Sequence, residues 1–326
     1  RICAENPDNN FLPATGTLHI YDKPVATAFT PAAESSGIRI DDGVRAGDTI
    51  SPFYDSMVAK LIVWGADRAQ ALARLDAALA QTRIVGLQTN VQFLRQVVRS
   101  RSFAQADLDT ALIQRESAAL FHQEPVGLPF AAAAATAWML RAGHGQEDAD
   151  PFSRRDGWRA FGEATRRLDF EFGGETVQAR LRHPHGGGSW LDVAGRSGPL
   201  EVHAVPQGLD VRFGDERHTV RVLNQGEWLH VFAAHGATRI RAIDPLAHAG
   251  DQQAEGGRLT APMPGKVLSF AVKAGDAVRK GQALAVMEAM KMEHTIAAPA
   301  DGTVAELLFA PGDQVGEGAE LLKLGA

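Results

Sequence analysis

The stretch Glu288-Ala289-Met290-Lys291-Met292-Glu293-His294-Thr295 lies between the two copies of an internal repeat. The first copy starts at Ala261-Pro262-Met263-Pro264-Gly265-Lys266-Val267, and the second starts 37 residues later at Ala298-Pro299-Ala300-Asp301-Gly302-Thr303-Val304. Self-similarity at a fixed spacing indicates two copies of one supersecondary unit. Nine residues of the first copy recur unchanged at this offset without a gap: Ala261, Pro262, Gly265, Val267, Gly275, Asp276, Val278, Gly281 and Leu284.

Each copy alternates apolar and polar residues between Pro-Gly and Gly-Asp turns, which is a pattern typical of β-strands. Two such units, related by a pseudo-twofold axis, predict a flattened antiparallel sandwich. Lys291 would then lie on an exposed hairpin at the link between the halves. A lysine in a turn is ordinarily just solvated, so its position alone assigns it no chemistry.

The combination of the repeat with Ala289-Met290-Lys291-Met292 resembles the biotinyl domain of biotin-dependent carboxylases. The resemblance implies that a biotin protein ligase attaches biotin covalently to Lys291, within a motif formed by Ala289, Met290 and Met292. The lipoyl domain shares this fold but usually carries an acidic residue before the lysine, where this chain has Met290. Methionine is flexible and polarizable, so the pair could form an adaptable surface for the ligase and partner active sites, or merely cover the sandwich edge.

Composition limits the classes of protein that the chain can represent. It has 326 residues, of which 45% are hydrophobic and 22% charged, so two or three globular domains are expected. The net charge of −6 and the absence of a basic run argue against nucleic acid as a partner. Cys3 is the only cysteine, which excludes an intrachain disulfide and favours a reducing compartment. No membrane span or signal peptide is predicted, and the start at Arg1 leads us to expect a fragment.

Residues 1–115 read as mixed α/β. Strands are predicted at residues 17–21 and 38–40, and the β-branched run over residues 57–64 predicts a buried strand. Apolar residues at helical spacing predict helices over residues 67–82 and 90–100.

Several segments here are similar to the C-terminal subdomain of biotin carboxylase, among them Arg1-Ile2-Cys3-Ala4-Glu5-Asn6-Pro7, Gly37-Ile38-Arg39 and Pro52-Phe53-Tyr54-Asp55-Ser56-Met57. The resemblance implies that Arg39 lies in the active site. A guanidinium suits bicarbonate or a developing negative charge. A surface ion pair of Arg39 with Asp41 or Asp42 is the alternative. The family's ATP- and Mg²⁺-binding region, of the ATP-grasp type, is not in these residues, so the chain alone should not carboxylate biotin.

Residues 116–246 begin with a helix predicted over residues 129–141, with Pro129 at its start and Gly143 as its stop. Because this helix is apolar on nearly all sides, it should be buried. Eight short strands separated by glycine-containing turns follow, at residues 167–172, 175–182, 189–193, 199–205, 209–213, 217–223, 228–233 and 237–243. The pattern predicts an antiparallel barrel closed around the helix. The fold class is therefore multidomain α+β, and no metal site is expected.

This middle region looks like the BT domain of acyl-CoA carboxylase α subunits, most of all the 3-methylcrotonyl-CoA branch, on Asp156-Gly157-Trp158-Arg159 and Trp228-Leu229-His230-Val231-Phe232. The resemblance implies docking of a carboxyltransferase β subunit, in an α6β6 assembly, and delivery of the carboxyl group to it from Lys291. A polar, glycine-rich linker is expected at residues 247–257, followed by the biotinyl domain at residues 258–326. Propionyl-, acetyl- and geranyl-CoA carboxylases, and a non-enzymatic lipoyl or biotinyl carrier, are the alternatives. A bacterial source would place the protein in the cytoplasm and a eukaryotic one in the mitochondrial matrix.

Overall fold

The computed structural model describes residues 1–26, 37–144, 157, 159, 161–185, 187–244, 258–261, 264–289, 292–316 and 318–325. They form two compact units: Arg1–Ser117 together with Gln252–Ala326, and Ala118–Asp251. The predicted linker at residues 247–257 lies outside the described residues, and the predicted domain boundaries stay predictions. None of the described helices is long and apolar enough to cross a membrane.

The N-terminal region is built from short strands around one three-stranded sheet, with helices packed beside it. The strands of this sheet lie in the order Ile2–Cys3, Met57–Val63, Ile38–Asp42. The first helix begins at Asp67, whose carboxylate accepts a hydrogen bond from the backbone N–H of Gln70 and so caps the helix. The strands are β1 Ile2–Cys3, β2 Glu5–Asn6, β3 Leu12–Pro13, β4 Gly16–Thr17, β5 Ile20–Asp22, β6 Ile38–Asp42, β7 Thr49–Ile50, β8 Met57–Val63 and β9 Arg83–Val85. The helices are α1 Arg68–Gln81, α2 Val91–Arg99, α3 Arg101–Ala104, α4 Leu112–Arg115 and α5 Ser117–Leu120.

Two strand predictions in this region are corrected. The strand predicted over residues 17–21 is two strands, β4 and β5, which pair with different partners, β7 and β9. Strand β8 is not buried throughout: Val58 and Ala59 are buried, whereas Met57 and Ile62 are exposed. A run of β-branched residues favours a strand but does not report whether both faces of its sheet are covered.

The middle unit is a closed antiparallel barrel of eight strands in sequence order. All eight predicted strands are present, several of them longer than predicted, and α6 precedes them. The elements are α6 Leu128–His144, β10 Ala164–Phe172, β11 Glu175–His183, β12 Ser189–Val193, β13 Arg196–Val205, β14 Gly208–Phe213, β15 Glu216–Gln225, β16 Trp228–Ala233 and β17 Gly236–Ile243.

Helix α6 lies inside the barrel. Residues 130–135 and 137 each expose 2% or less of their surface. Consecutive residues point to every side of a helix, so the helix must be enclosed all round. The interior of an eight-stranded barrel is narrow, which explains why the enclosed turns of the helix are almost all alanine. The predicted stop at Gly143 is wrong, because the helix continues through this residue to His144 and glycine is tolerated there at a modest cost.

The C-terminal region is a sandwich of two four-stranded antiparallel sheets. The strands are β18 Arg258–Thr260, β19 Gly265–Phe270, β20 Ala277–Val278, β21 Ala283–Ala289, β22 Met292–Ala297, β23 Gly302–Leu307, β24 Gln314–Val315 and β25 Glu320–Gly325. The strand orders of the two sheets are β18-β25-β23-β20 and β22-β21-β19-β24.

A shift of 37 residues maps one sheet of the sandwich onto the other. It takes β19 to β23, β20 to β24 and β21 to β25, and it takes β18 to the second half of β22. The hydrogen bonds obey the same rule: Gly275 N–H donates to Val304 O at 2.7 Å, and Gly312 N–H donates to Val267 O at 2.7 Å. The predicted pseudo-twofold sandwich is therefore confirmed.

The same operation exchanges two apolar clusters that together form the sandwich core. The end cluster beside the strand link β21–β22 comprises Ala261, Val267, Met287, Ala289, Val315 and Leu321. The other cluster, near Arg258 and Gly325, comprises Leu259, Val272, Val278, Leu284, Ala298, Val304 and Leu322. His294 pairs with Met287 across β21 and β22. Its Nε2 is buried without a hydrogen-bond partner among the described residues.

Enlarging the enclosed face of α6 should destabilise the barrel. We expect Ala134→Leu to lower the free energy of unfolding by about 1–3 kcal/mol, because the fully packed interior has no room for the added carbons. Ala142→Leu is the matched control, since Ala142 is exposed on the same helix, and its effect should stay within about 0.5 kcal/mol. Urea unfolding would measure both. Equal stability of the two variants would contradict an enclosed helix.

The stability of the sandwich should depend on the protonation of His294. Burial lowers the pKa of His294 below its ordinary value, so the unfolded chain binds the proton more readily. Its contribution to stability is therefore present above about pH 6.5, the ordinary histidine pKa, and is lost as the pH falls below it. Urea unfolding would be monitored by NMR of sandwich amides at pH 7.5 and 5.5. Between these pH values the free energy of unfolding should fall less for His294→Gln than for the wild type. The exposed His185→Gln should behave as the wild type, and an unchanged pH dependence in His294→Gln would refute the expectation.

Candidate functional site

The link between β21 and β22 contains the sequence motif. Pairing of these strands continues through Met287 with His294 and Glu288 with Glu293 to Ala289 with Met292. Only Met290 and Lys291 lie between the last paired residues, and both are outside the described residues. The structure thus brings paired strands up to both sides of the predicted attachment residue.

Strands β21 and β22 form a hairpin. Its stem, the paired residues next to the link, is held in place by close packing against the sandwich core. Ala289 is 2% exposed and belongs to the end cluster, so it packs in the core. A Cβ atom at Gly265 would lie 2.6 Å from the backbone oxygen of Glu288 and 3.2 Å from the Cβ of Ala289. Glycine therefore allows β19 to pass directly beside the stem. The backbone of Met292 is in β22, and the predicted contacts of Ala289, Met290 and Met292 with a cofactor stay predictions.

An acidic pair lies on the outer face of the stem. Glu288 and Glu293 are cross-strand partners and both are exposed. On the other side of β21, Lys266 of β19 pairs with Glu288. Like charges opposite each other cost stability, so this pair is a feature that packing does not explain. Sequence reasoning overlooked it, although strict alternation along the two strands would have placed both carboxylates outward.

The arrangement suits a covalent attachment point. A lysine amine on a flexible four-carbon stem, in a two-residue link at the end of a sheet, can form an amide with a cofactor carboxyl group. The acidic pair would favour approach of a partner with a basic surface. The described residues contain no cluster of three or more His, Cys, Asp or Glu that could hold a metal ion.

Arg39 lies on β6, opposite Ile62 of β8. Its Nε and Nη2 atoms donate hydrogen bonds to the two carboxylate oxygens of Asp41, at 2.8 and 2.9 Å. This contact lowers the pKa of Asp41. Half of the Arg39 side chain is exposed. A surface ion pair with Asp41 is what the alternative interpretation expects, so the active-site role of Arg39 stays a prediction and gains no support from this geometry.

Three family models match consecutive parts of the chain. The model of the biotin carboxylase C-terminal domain matches residues 1–115. The model of the methylcrotonyl-CoA carboxylase alpha-subunit BT domain matches residues 127–245. The model described as biotin-requiring enzyme matches residues 257–324 and includes the hairpin.

Curated relatives match along nearly the whole chain. The mitochondrial methylcrotonoyl-CoA carboxylase subunit alpha of Dictyostelium discoideum is 33% identical over 95% of this chain and 46% of its own length. The mouse protein of the same name is 32% identical over 99% and 46%. The mouse propionyl-CoA carboxylase alpha chain is 30% identical over 99% and 45%. The chain thus spans about half the length of the curated relatives it matches. With three successive segments of one subunit type in the same order, it belongs to the family of biotin-dependent acyl-CoA carboxylase α subunits.

Proposed function

We propose that this chain is the biotin-carrying part of a methylcrotonyl-CoA carboxylase α subunit, with biotin attached to Lys291. The observation that carries the proposal is the two-residue link: β21 and β22 stay paired up to Ala289 and Met292, which leaves only Met290 and Lys291 between them. The buried Ala289 and the close approach of Gly265 make the stem rigid enough to present that link.

Each part of the chain has its own task in the proposed reaction. Biotin, when attached, supplies a ureido nitrogen that carries the carboxyl group. The sandwich presents the two-residue link that contains Lys291 between the paired residues Ala289 and Met292. ATP and Mg²⁺ would bind the ATP-grasp region of the complete subunit, which lies outside this sequence. The protein's contribution is thus position rather than bond chemistry.

The acyl-CoA substrate is proposed from the BT region. The family model that matches residues 127–245 is that of the methylcrotonyl-CoA branch, which favours this substrate over propionyl-CoA, the substrate in the name of another matched relative. The partners that we propose are a carboxyltransferase β subunit, in an α6β6 assembly, and a biotin protein ligase. A lipoyl carrier is the competing function for the sandwich. A cytoplasmic location is proposed for a bacterial source, and the matched eukaryotic relatives are named mitochondrial.

Lys291 should be the residue that receives biotin. After co-expression with a biotin protein ligase, intact mass and peptide mapping should show biotin on wild-type Lys291 and none on Lys291→Arg, because a guanidinium does not form the amide. The exposed Lys273→Arg is the matched control on the same sandwich and should be biotinylated fully. Biotin on Lys291→Arg would exclude this attachment site, and a lipoyl group on the wild type would favour the carrier alternative.

The barrel unit should hold the carboxyltransferase β subunit. Because the barrel is closed by its own hydrogen bonds, removing residues 116–246 should delete one complete unit, abolish co-purification with the β subunit and leave the sandwich able to accept biotin. Lys291→Arg is the control that must still bind the β subunit if biotin plays no part in docking. Recovery of the deleted chain together with the β subunit would reject this role of the barrel.

A further inference from the structure

One side chain of the N-terminal region takes part in the core of the sandwich. Leu12 packs against the end cluster, the group of apolar residues beside the β21–β22 link, together with Phe309 and Ala319. Five of the six members of the end cluster have an apolar counterpart 37 residues away among the described residues, but Leu12 lies outside the repeat and has none. The sandwich therefore completes this end of its core with a residue from another part of the chain.

The two copies of the repeat differ in sequence near the end cluster. Phe309 occupies the position that Val272 has in the first copy. Val272 is 4% exposed within its own cluster, whereas Phe309 is only half-buried. The exposed Lys273 of the first copy is replaced by Ala310 in the second. The second copy is thus more apolar than the first at this turn, and Phe309 packs against the same end cluster as Leu12.

The N-terminal side of the contact is held in place. Asn10 and Phe11 both have left-handed backbone conformations, with φ of 49° and 56°, which is uncommon for residues other than glycine. The Phe11 ring packs edge-to-face on Phe93 of α2, with ring centroids 5.0 Å apart. Leu12 follows directly and pairs with Asn6. Backbone strain of this kind persists only where surrounding contacts hold it, so the loop presents Leu12 in a fixed position.

We propose that the packing of Leu12 on the end cluster, to which Phe309 also contributes, is a docking contact that holds the sandwich of this chain against its own N-terminal region. The contact is small, but both sides belong to one chain. A tether gives an effective concentration of about millimolar, so an apolar contact with a dissociation constant well below about a millimolar would be formed most of the time. A contact of this strength can also release, which a carrier that visits more than one site requires.

The tumbling of the sandwich in the 326-residue chain tests this contact. We would measure ¹⁵N relaxation of amides in the sandwich and in the N-terminal region. In the wild type the two rotational correlation times should agree. Leu12→Ala and Phe309→Val, which restores the residue of the first copy, should each shorten the correlation time of the sandwich about twofold or more. Ile113→Ala, at an exposed apolar residue of the N-terminal region, should change nothing.

The outcomes separate docking from loss of structure. Because the two variants lie on opposite sides of the contact, a shared effect with native amide dispersion supports docking, and their double variant should add no further mobility. A sandwich that already tumbles independently in the wild type would overturn the proposal. So would unchanged tumbling in both variants, or a correlation time that rises with protein concentration, which would indicate contact between copies. The test needs neither biotin nor a β subunit, so its result is independent of the proposed function.

Discussion

The sandwich depends on hydrogen bonds that each repeat copy makes to the other. Val304 N–H donates to Asp276 O, and Val267 N–H donates to Asp313 O, both at 2.9 Å. Each Gly-Asp turn is therefore closed by a strand of the opposite copy, and buried backbone groups of one copy are satisfied only when the other is present. A single copy would leave these groups and one apolar cluster exposed, so neither half is a folding unit by itself. The paired strands β21 and β22 therefore form only when both copies of the repeat fold together.

The barrel solves the problem of unpaired edges differently. Its eight strands close on themselves, which leaves no edge strand, and its interior is filled by a helix instead of by long side chains. Alanine is the residue that fits both demands, because it forms helices well and needs little space. The unit is consequently rigid and carries its own core, which suits a part of the chain that is proposed to bind another subunit.

Sequence periodicity predicted most of the secondary structure. The repeat predicted the sandwich and its twofold relation, and turns at regular spacing predicted all eight barrel strands. Sequence periodicity could not predict which faces of these strands and helices are covered by other parts of the protein. The run from Met57 to Val63 indicated a strand but not that one face of its sheet is open, and helical spacing did not reveal that α6 continues through Gly143. The packing of Leu12 on the end cluster joins residues from opposite ends of the sequence, and no local pattern encodes it. At the candidate site the motif indicated Lys291, but the acidic pair Glu288–Glu293 followed only from strand register.

The twofold relation also determines where the β21–β22 link lies on the sandwich relative to the chain ends. The operation that exchanges the sheets takes the β21–β22 link to the end where the chain enters at Arg258 and leaves at Gly325. These two ends are separated by the length of β21, about 20 Å at the usual rise per residue. The paired strand ends at Ala289 and Met292 therefore lie at the end of the sandwich opposite Arg258. A small rotation about Arg258 would displace these strand ends farther than the residues next to Arg258.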